Sequence, residues 1–225
     1  INIAIATGSS LAMVKQESFY DLFKTIISAN GSLITVNDEV IYKEYMNQRL
    51  VRDLLTVFEK NQTPYCIHFL HESKGKLNQA WVAEFSIKYN MPLGYLEEDI
   101  LNQIEKYEVF QINAYIKDSE IEMMRQSYPQ FSFVKLIDIE DGYDIFNKHC
   151  SKGSAIRYLR SHQSGKEMEY YAFGDGFNDL EMFAEVDYSI AMGNGCDLLK
   201  ERATYVTDSI HENGIYNALK NLKLI

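Results

Sequence analysis

The sequence predicts an α/β fold in which helices cover both faces of a parallel sheet. The main observation is the carboxyl-terminal part, where short apolar runs alternate with helical stretches. Such alternation is typical of parallel sheets, because each crossover helix packs on a face of the sheet. A second observation is that glycine-containing polar turns follow several of the apolar runs, at the strand ends where sheets of this class bind ligands. The predicted elements in this part are a helix over 153–162, a loop over 163–166, strands over 169–173, 187–191 and 204–206, and helices over 177–184, 196–202 and 213–221.

The amino-terminal residues show a similar order of elements. Residues 1–8 and 26–36 are short, apolar and rich in β-branched side chains, and they flank a helical stretch over 11–24. An Asn-Asp turn then predicts that 33–36 and 40–42 pair as a hairpin.

The middle of the chain, residues 43–142, has a mixed pattern and is predicted to be an α+β insertion. The core domain would then consist of residues 1–42 and 143–225, with core features resuming near Asp144. The predicted elements of the insertion are a helix over 46–60, a strand over 65–70, a polar turn over 71–75, helical or irregular residues over 76–90, a helix over 96–107, a strand over 110–116, a helix over 119–127 and a strand over 131–139.

Composition excludes several classes of protein. The 225 residues are 46% hydrophobic and carry a formal charge of −10, which argues against duplex nucleic acid or an anionic membrane as a main partner. No apolar run is long enough to span a bilayer. The three cysteines are scattered and odd in number, which favours a reducing, cytoplasmic location over a disulfide framework. Nothing in the sequence indicates the oligomeric state.

The most informative motif is residues 174–179, which read Gly-Asp-Gly-Phe-Asn-Asp between an apolar run and a helix. Magnesium prefers oxygen ligands and is usually held by one or two carboxylates together with phosphate and water. The glycines allow the backbone to bend tightly and to approach a ligand. Taken alone, the motif fits a surface turn with acidic helix caps about as well.

Four further motifs occur in a fixed order around this one. Thr7-Gly8 ends the first apolar run, Asn30-Gly31 ends the second, Lys152-Gly153 opens a helix, and residues 192–195 read Met-Gly-Asn-Gly. A lysine at a helix start is disfavoured by the helix dipole, so Lys152 suggests a neighbouring anion.

Together the five motifs resemble the haloacid dehalogenase superfamily, and within it the Cof-type phosphatases of subfamily IIB. The resemblance covers about half of the chain, at both ends. It implies a Rossmann-like core with a parallel sheet and an inserted α+β cap of the C2 type. It also implies a magnesium-dependent phosphoric monoester hydrolase that acts through an aspartyl-phosphate.

The resemblance carries roles over to particular positions. Asp175 is the expected direct magnesium ligand, Asp179 would bind the metal or orient its waters, and Asn178 would contact the metal shell or a phosphate oxygen. Thr7, with the amide of Gly8, would hold the phosphate.

Lys152 would steady both the nucleophile and the phosphate as a point charge. The expected catalytic residues are therefore Lys152, Thr7 and Asp179. Two interpretations of Asn30 stay open, a residue that lines the cleft and a simple turn residue.

Two features depart from the family pattern. The nucleophile and the general acid are expected in an Asp-x-Asp-Gly-Thr motif upstream of Thr7, and no Asp-x-Asp-Gly occurs in this sequence. We expect that motif in a segment preceding Ile1, and a natural loss of the segment is the less favoured alternative. Ser9 stands where the family often has arginine, which leaves the charge of the substrate open.

The expected substrates are small phosphorylated metabolites: sugar phosphates first, then flavin mononucleotide or pyridoxal phosphate. A phosphosugar mutase-like phosphotransferase and a non-catalytic phosphate-binding regulator are the alternatives. Cys66, His68 and His71 lie close together inside the predicted cap, and we interpret them as cap residues rather than as a transition-metal site.

Overall fold

Local sequence signals account for the longest helix among the described residues, which in the computed structural model spans Gln48–Asn61. Asn47 begins it by accepting hydrogen bonds from the backbone amides of Arg49 and Leu50, so its side chain caps the helix. One face of the helix is apolar and buried, as the helical spacing of its leucines predicts. The helix ends at Gln62, which adopts the left-handed conformation common after helix ends.

The structure describes residues 1–76, 79–136, 139–162 and 168–225. The predicted loop over 163–166 therefore lies outside the described residues, as do small parts of the predicted elements over 76–90 and 131–139. The helices of the described residues are α1 Leu11–Val14, α2 Gln48–Asn61, α3 Ala80–Lys88, α4 Ile100–Gln103, α5 Ile121–Ser127, α6 Lys152–His162, α7 Leu180–Phe183, α8 Asp197–Arg202 and α9 Gly214–Asn221. None of them combines the length and the apolar character that crossing a membrane requires.

The chain divides into two compact units, Ile1–Cys150 and Ser151–Ile225. The first unit contains a four-stranded sheet in which the first two strands are parallel and the other neighbours are antiparallel. Its strands, in spatial order, are β1 Ala4–Ala6, β2 Thr25–Ser28, β3 Leu33–Val36 and β4 Glu39–Lys43. The pairing of β3 with β4 confirms the predicted hairpin.

The first unit also contains a six-stranded mixed sheet with the spatial order β7-β6-β5-β8-β10-β9. These strands are β5 Tyr65–His68, β6 Ser73–Gly75, β7 Leu93–Tyr95, β8 Gln111–Tyr115, β9 Phe131–Lys135 and β10 Gly142–Asn147. One face of this sheet packs against α2 in a large apolar cluster that includes Phe58, Ile67 and Ile112.

The second unit contains a parallel sheet of β11 Tyr171–Gly174, β12 Tyr188–Ala191 and β13 Tyr205–Val206. Helix α7 lies between the first two strands in sequence, and α8 lies between the second and third. The predicted alternation of strands and helices is therefore confirmed here.

Several predicted elements need correction. Residues 142–147 form β10, which pairs with β8 and β9 of the six-stranded sheet, and residues 143–147 of this strand fall in the segment predicted as core. Alternating polar and apolar residues predict a strand but do not specify its partners. The predicted helix over 11–24 continues only to Val14 and is followed by turns. The expected turn over 71–75 contains strand β6, which pairs with β5.

Candidate active site

Residues 174–179 form a loop at the end of β11, which we call the acidic loop. One of its own carboxylates closes it. Oδ2 of Asp179 accepts hydrogen bonds from the backbone amides of Asp175 at 2.9 Å and Gly176 at 3.0 Å. The side chain of Asp179 lies directly over Gly174, where an added Cβ would stand 2.7 Å from the Asp179 Cβ. Only glycine leaves room for this close approach, which explains why the strand ends in glycine.

The second oxygen of Asp179 binds the lysine that the sequence singles out. Lys152 Nζ donates to Asp179 Oδ1 at 2.7 Å, and the two side chains are only 9% and 4% exposed. Burying either charge without the other would be costly, so each group depends on its partner. The pair also supplies the anion that a lysine at the first position of α6 requires.

Gly153 makes this ion pair possible. A Cβ at this position would lie 2.4 Å from the backbone oxygen of Glu181. The first turn of α6 therefore packs against the backbone of α7 at a distance that no larger residue allows. This contact brings Lys152 within reach of Asp179, so the Lys-Gly pair acts as one structural unit.

The other two polar residues of the loop remain accessible. Asp175 and Asn178 are exposed, and within the described part of the chain neither side chain forms a hydrogen bond. Their oxygens are the kind of donor that magnesium prefers, and one or two carboxylates with phosphate and water are enough to hold it. The described residues contain no cluster of three or more His, Cys, Asp or Glu side chains placed to hold a metal. The donor set thus fits magnesium shared with a substrate phosphate.

The predicted phosphate-binding loop lies in the first unit, directly after β1. Thr7 continues the pairing with β2 through its amide, which donates to the carbonyl of Ile27 at 2.9 Å. Its side-chain oxygen accepts from the amide of Ser9 at 3.1 Å, so the hydroxyl proton is available to a ligand. Thr7 and Gly8 are both half-buried.

Asn30 lies against this loop rather than on the surface. Residues 29–31 form a left-handed turn, with φ values of 47°, 53° and 91°, and Asn30 is only 2% exposed. Its backbone amide donates to the carbonyl of Thr7 at 3.1 Å. Its side-chain oxygen lies 3.0 Å from the position that a Cβ of Gly8 would take. The left-handed conformation explains the choice of Asn-Gly at this turn.

Sequence reasoning missed the groups that contact Asn30 from the six-stranded sheet. Asn30 Nδ2 donates to Asp144 Oδ2 at 3.4 Å, and Asn113 donates to the other oxygen of the same carboxylate. Burial raises the pKa of Asp144 to about 7, against the opposing effect of these hydrogen bonds. The available signal was the pair Gln111 and Asn113, two polar residues at alternate positions of a strand that is otherwise apolar.

The structure therefore groups the predicted site residues into two sets, one in each unit. The first set is Thr7, Gly8 and Asn30, and the second is Lys152, Asp175, Asn178 and Asp179. Cys66 and His68 lie on β5, and burial lowers the pKa of His68 to about 4. Both β1 and β11 belong to parallel strand pairs, and they end in a hydroxyl-bearing loop and an acidic loop respectively. Such loops at strand ends, with a buried lysine bonded to the acidic one, define an α/β enzyme of the phosphoryl-transfer type.

Comparisons with known proteins agree with this class. A family model described as haloacid dehalogenase-like hydrolase matches residues 1–219. YkrA of Bacillus subtilis strain 168, which carries a provisional phosphatase name, is 31% identical over 232 residues that cover 100% of this chain and 85% of YkrA.

Two solved structures, each 26% identical to this chain, are similar along almost all of it. A protein from Geobacillus kaustophilus HTA426 aligns with a TM-score of 0.86 over 99% of this chain and 85% of that one. A sugar phosphatase of subclass IIB aligns with a TM-score of 0.82 over 100% of this chain and 86% of that one.

The chain therefore belongs to the haloacid dehalogenase-like hydrolases. The predicted family, the α/β fold class and the assignment to phosphatase-type enzymes are confirmed. The roles of individual residues and the division into core and cap stay predictions.

Proposed function

We propose that the protein is a magnesium-dependent phosphatase that removes phosphate from small phosphorylated metabolites through an aspartyl-phosphate. The observation that carries this proposal is the buried pair of Lys152 and Asp179, which closes the acidic loop while leaving Asp175 and Asn178 accessible. A buried lysine held beside two accessible oxygen donors suits a phosphoryl group and a hard cation. Sugar phosphates are the preferred substrates, supported by the similarity to a subclass IIB sugar phosphatase.

Each residue has a distinct task in this proposal. Thr7 and the amide of Gly8 hold phosphate oxygens, and Lys152 neutralises charge on the phosphoryl group. Asp179 fixes Lys152 and the loop amides, while Asp175 and Asn178 would hold magnesium. Magnesium, when bound, neutralises charge on the transferring group. Catalysis then depends mainly on positioning and electrostatics around the phosphoryl group.

We further propose that the insertion forms a cap that covers the site and excludes water. Because β10 belongs to the six-stranded sheet, the proposed cap extends past the predicted limit of 142 to residue 147. The cysteines are free thiols, which supports a location in a reducing cytoplasm.

The direct test is the loss of the expected metal ligand. In the full-length protein, Asp175→Ala should lower magnesium-dependent phosphate release from a panel of sugar phosphates by more than about a hundredfold, since even residues behind metal ligands are typically worth about ten- to a hundredfold. Asp197→Ala is the matched control, because this aspartate is 99% exposed on α8 and has no role in the proposal. Near-normal phosphate release by Asp175→Ala would contradict the assignment of the site.

A further inference from the structure

One face of the six-stranded sheet carries a band of polar side chains although it is buried. Strand pairing places His68 opposite both Ser73 and Gln111, and it places Asn113 opposite Asp144. These five residues are each at most 9% exposed. The opposite face of the same strands belongs to the large apolar cluster. We call this band the polar face.

The side chains of the polar face form a continuous network of hydrogen bonds. Nδ1 of His68 bonds to the hydroxyl of Ser73 at 2.8 Å, and Nε2 bonds to the amide oxygen of Asn113. The amide nitrogen of Asn113 then donates to Asp144, and the side chain of Gln111 also stabilises the charged form of this carboxylate. Because burial lowers the pKa of His68 to about 4, the imidazole is neutral near pH 7. The network thus combines neutral groups with one carboxyl group.

The polar face adjoins the proposed phosphate-binding loop within the first unit. Asn30 bonds to Asp144 and lies against Gly8, as described above. The hydroxyl of Ser10, two residues beyond Gly8, lies 3.4 Å from that of Ser73. Two separate contacts therefore place the polar face beside the residues proposed to hold phosphate.

One acceptor of the polar face has no partner among the described residues. Oε1 of Gln111 is buried and unbonded, although the residue is only 3% exposed. A buried acceptor without a donor is costly, and a ligand hydroxyl that donates to it would remove that cost. The unbonded atom lies on a side chain that interacts with the Asp144 carboxylate on the neighbouring strand, so one hydroxyl-bearing group could reach both residues.

We propose that Gln111 and Asp144 are specificity-determining residues that recognise hydroxyl groups on the part of the substrate attached to phosphate. His68 and Asn113 are positioning residues, since they hold the Asp144 carboxyl group in place. The inference rests on the proposed function, and it selects polyhydroxylated substrates within it. No lysine or arginine takes part in the described hydrogen bonds of the polar face, so a second phosphate or a carboxylate would find no counterion there.

The test compares a hexose 6-phosphate with each of its monodeoxy analogues as substrates of the full-length protein with magnesium. The wild-type protein should prefer the parent sugar at one or more hydroxyl positions. Gln111→Met keeps the size of the side chain and removes the acceptor. It should reduce that preference about tenfold at one hydroxyl position, as expected for the loss of one hydrogen bond. Asp144→Asn, a near-isosteric second variant, should reduce the preference at the same or an adjacent hydroxyl.

The matched control is Gln79→Met. Gln79 also carries a buried side-chain oxygen without a partner in the described residues, but it lies at the start of α3, outside the polar face. Gln79→Met should keep the wild-type preference for the parent sugar phosphate over its monodeoxy analogues. Equal loss of activity on the parent sugar and on every analogue in both polar-face variants would overturn the inference while leaving the proposed function intact. A wild-type protein that releases phosphate from none of the sugars would overturn both.

Discussion

The two units bury a carboxylate in contrasting ways. In the second unit, Asp179 is paired with the ammonium group of Lys152, so the buried charges neutralise each other. In the first unit, Asp144 is surrounded by the neutral amides of Asn30, Gln111 and Asn113. Burial without a cation raises the pKa of Asp144 to about 7. The comparison teaches that a buried carboxylate paired with an ammonium group stays charged, whereas a buried carboxyl group held only by amides changes its protonation with pH.

The largest expected effect comes from removing the cation of the ion pair. Lys152→Met leaves Asp179 buried without a counterion, and breaking such a pair typically costs about 3–5 kcal/mol of unfolding free energy. Chemical denaturation of the variant should show this loss, and phosphate release should fall with it. Lys200→Met is the control, because Lys200 forms a loose ion pair at 4.0 Å with an exposed partner and should change stability by less than about 1 kcal/mol.

A double variant sharpens this prediction. Lys152→Met combined with Asp179→Asn removes both charges while keeping an oxygen that can accept from the loop amides. It should be more stable than Lys152→Met alone, and phosphate release should remain lost. If the two proteins had equal stability, the unpaired carboxylate would not be the cause of the destabilisation.

The next largest expected effect is a pH dependence of the unfolding free energy, which arises from the carboxyl group of Asp144. The pKa of Asp144 is about 7 in the folded protein and close to 3.8 when unfolded. Between these values the folded state keeps a proton that the unfolded state has released. Its contribution to stability is therefore complete below about pH 4 and is lost as the pH rises to about 7, with a slope of up to about 1.4 kcal/mol per pH unit.

Asp144→Asn removes this titration. The unfolding free energy of the wild-type protein should therefore fall relative to that of the variant as the pH rises from about 4 to 7. His68, whose pKa is lowered to about 4 by burial, has the opposite dependence between about pH 4 and its ordinary pKa of 6.5, but it is present in both proteins. Denaturation curves at several pH values measure the difference. A constant difference over this range would show that Asp144 is not protonated in the folded protein.

The smallest expected effect comes from removing the hydrogen bond between Ser73 and His68 in the polar face. Ser73→Ala removes the hydroxyl that bonds to Nδ1 of His68. It should cost about 0.5–1.5 kcal/mol, the usual net value of one hydrogen bond. Ser161→Ala, at an exposed position on α6, is the comparison and should change stability less. Thermal or chemical unfolding measures both, and equal values would indicate that the His68 contact contributes nothing.

The sequence predicted the second unit better than the first because its signals are local. Glycine spacing, acidic residues and a lysine at a helix start lie within short segments, and each has a direct physical meaning. Helix α2 and the β3–β4 hairpin were predicted for the same reason, from helical spacing and a two-residue turn.

The polar face could not be predicted in this way. Its residues come from separate strands, and period-two alternation does not show which strands become neighbours. The same ambiguity explains why the sequence did not show that residues 142–147 pair with β8 and β9. Asn30 could not be distinguished from a surface turn residue, because the side chain that it bonds to, Asp144, is distant in the sequence.

The hydrogen bond between Asn30 and Asp144 also has a consequence for the order of folding, because it joins residues 114 positions apart. Closing a long loop costs chain entropy before the contact can form, and non-local contacts slow folding. The loop of Asp179, in contrast, closes over four residues. We therefore expect the acidic loop to be ordered early during folding and the polar face to be completed late. A complete chain that refolds from the unfolded state would then order its acidic loop before it completes the polar face.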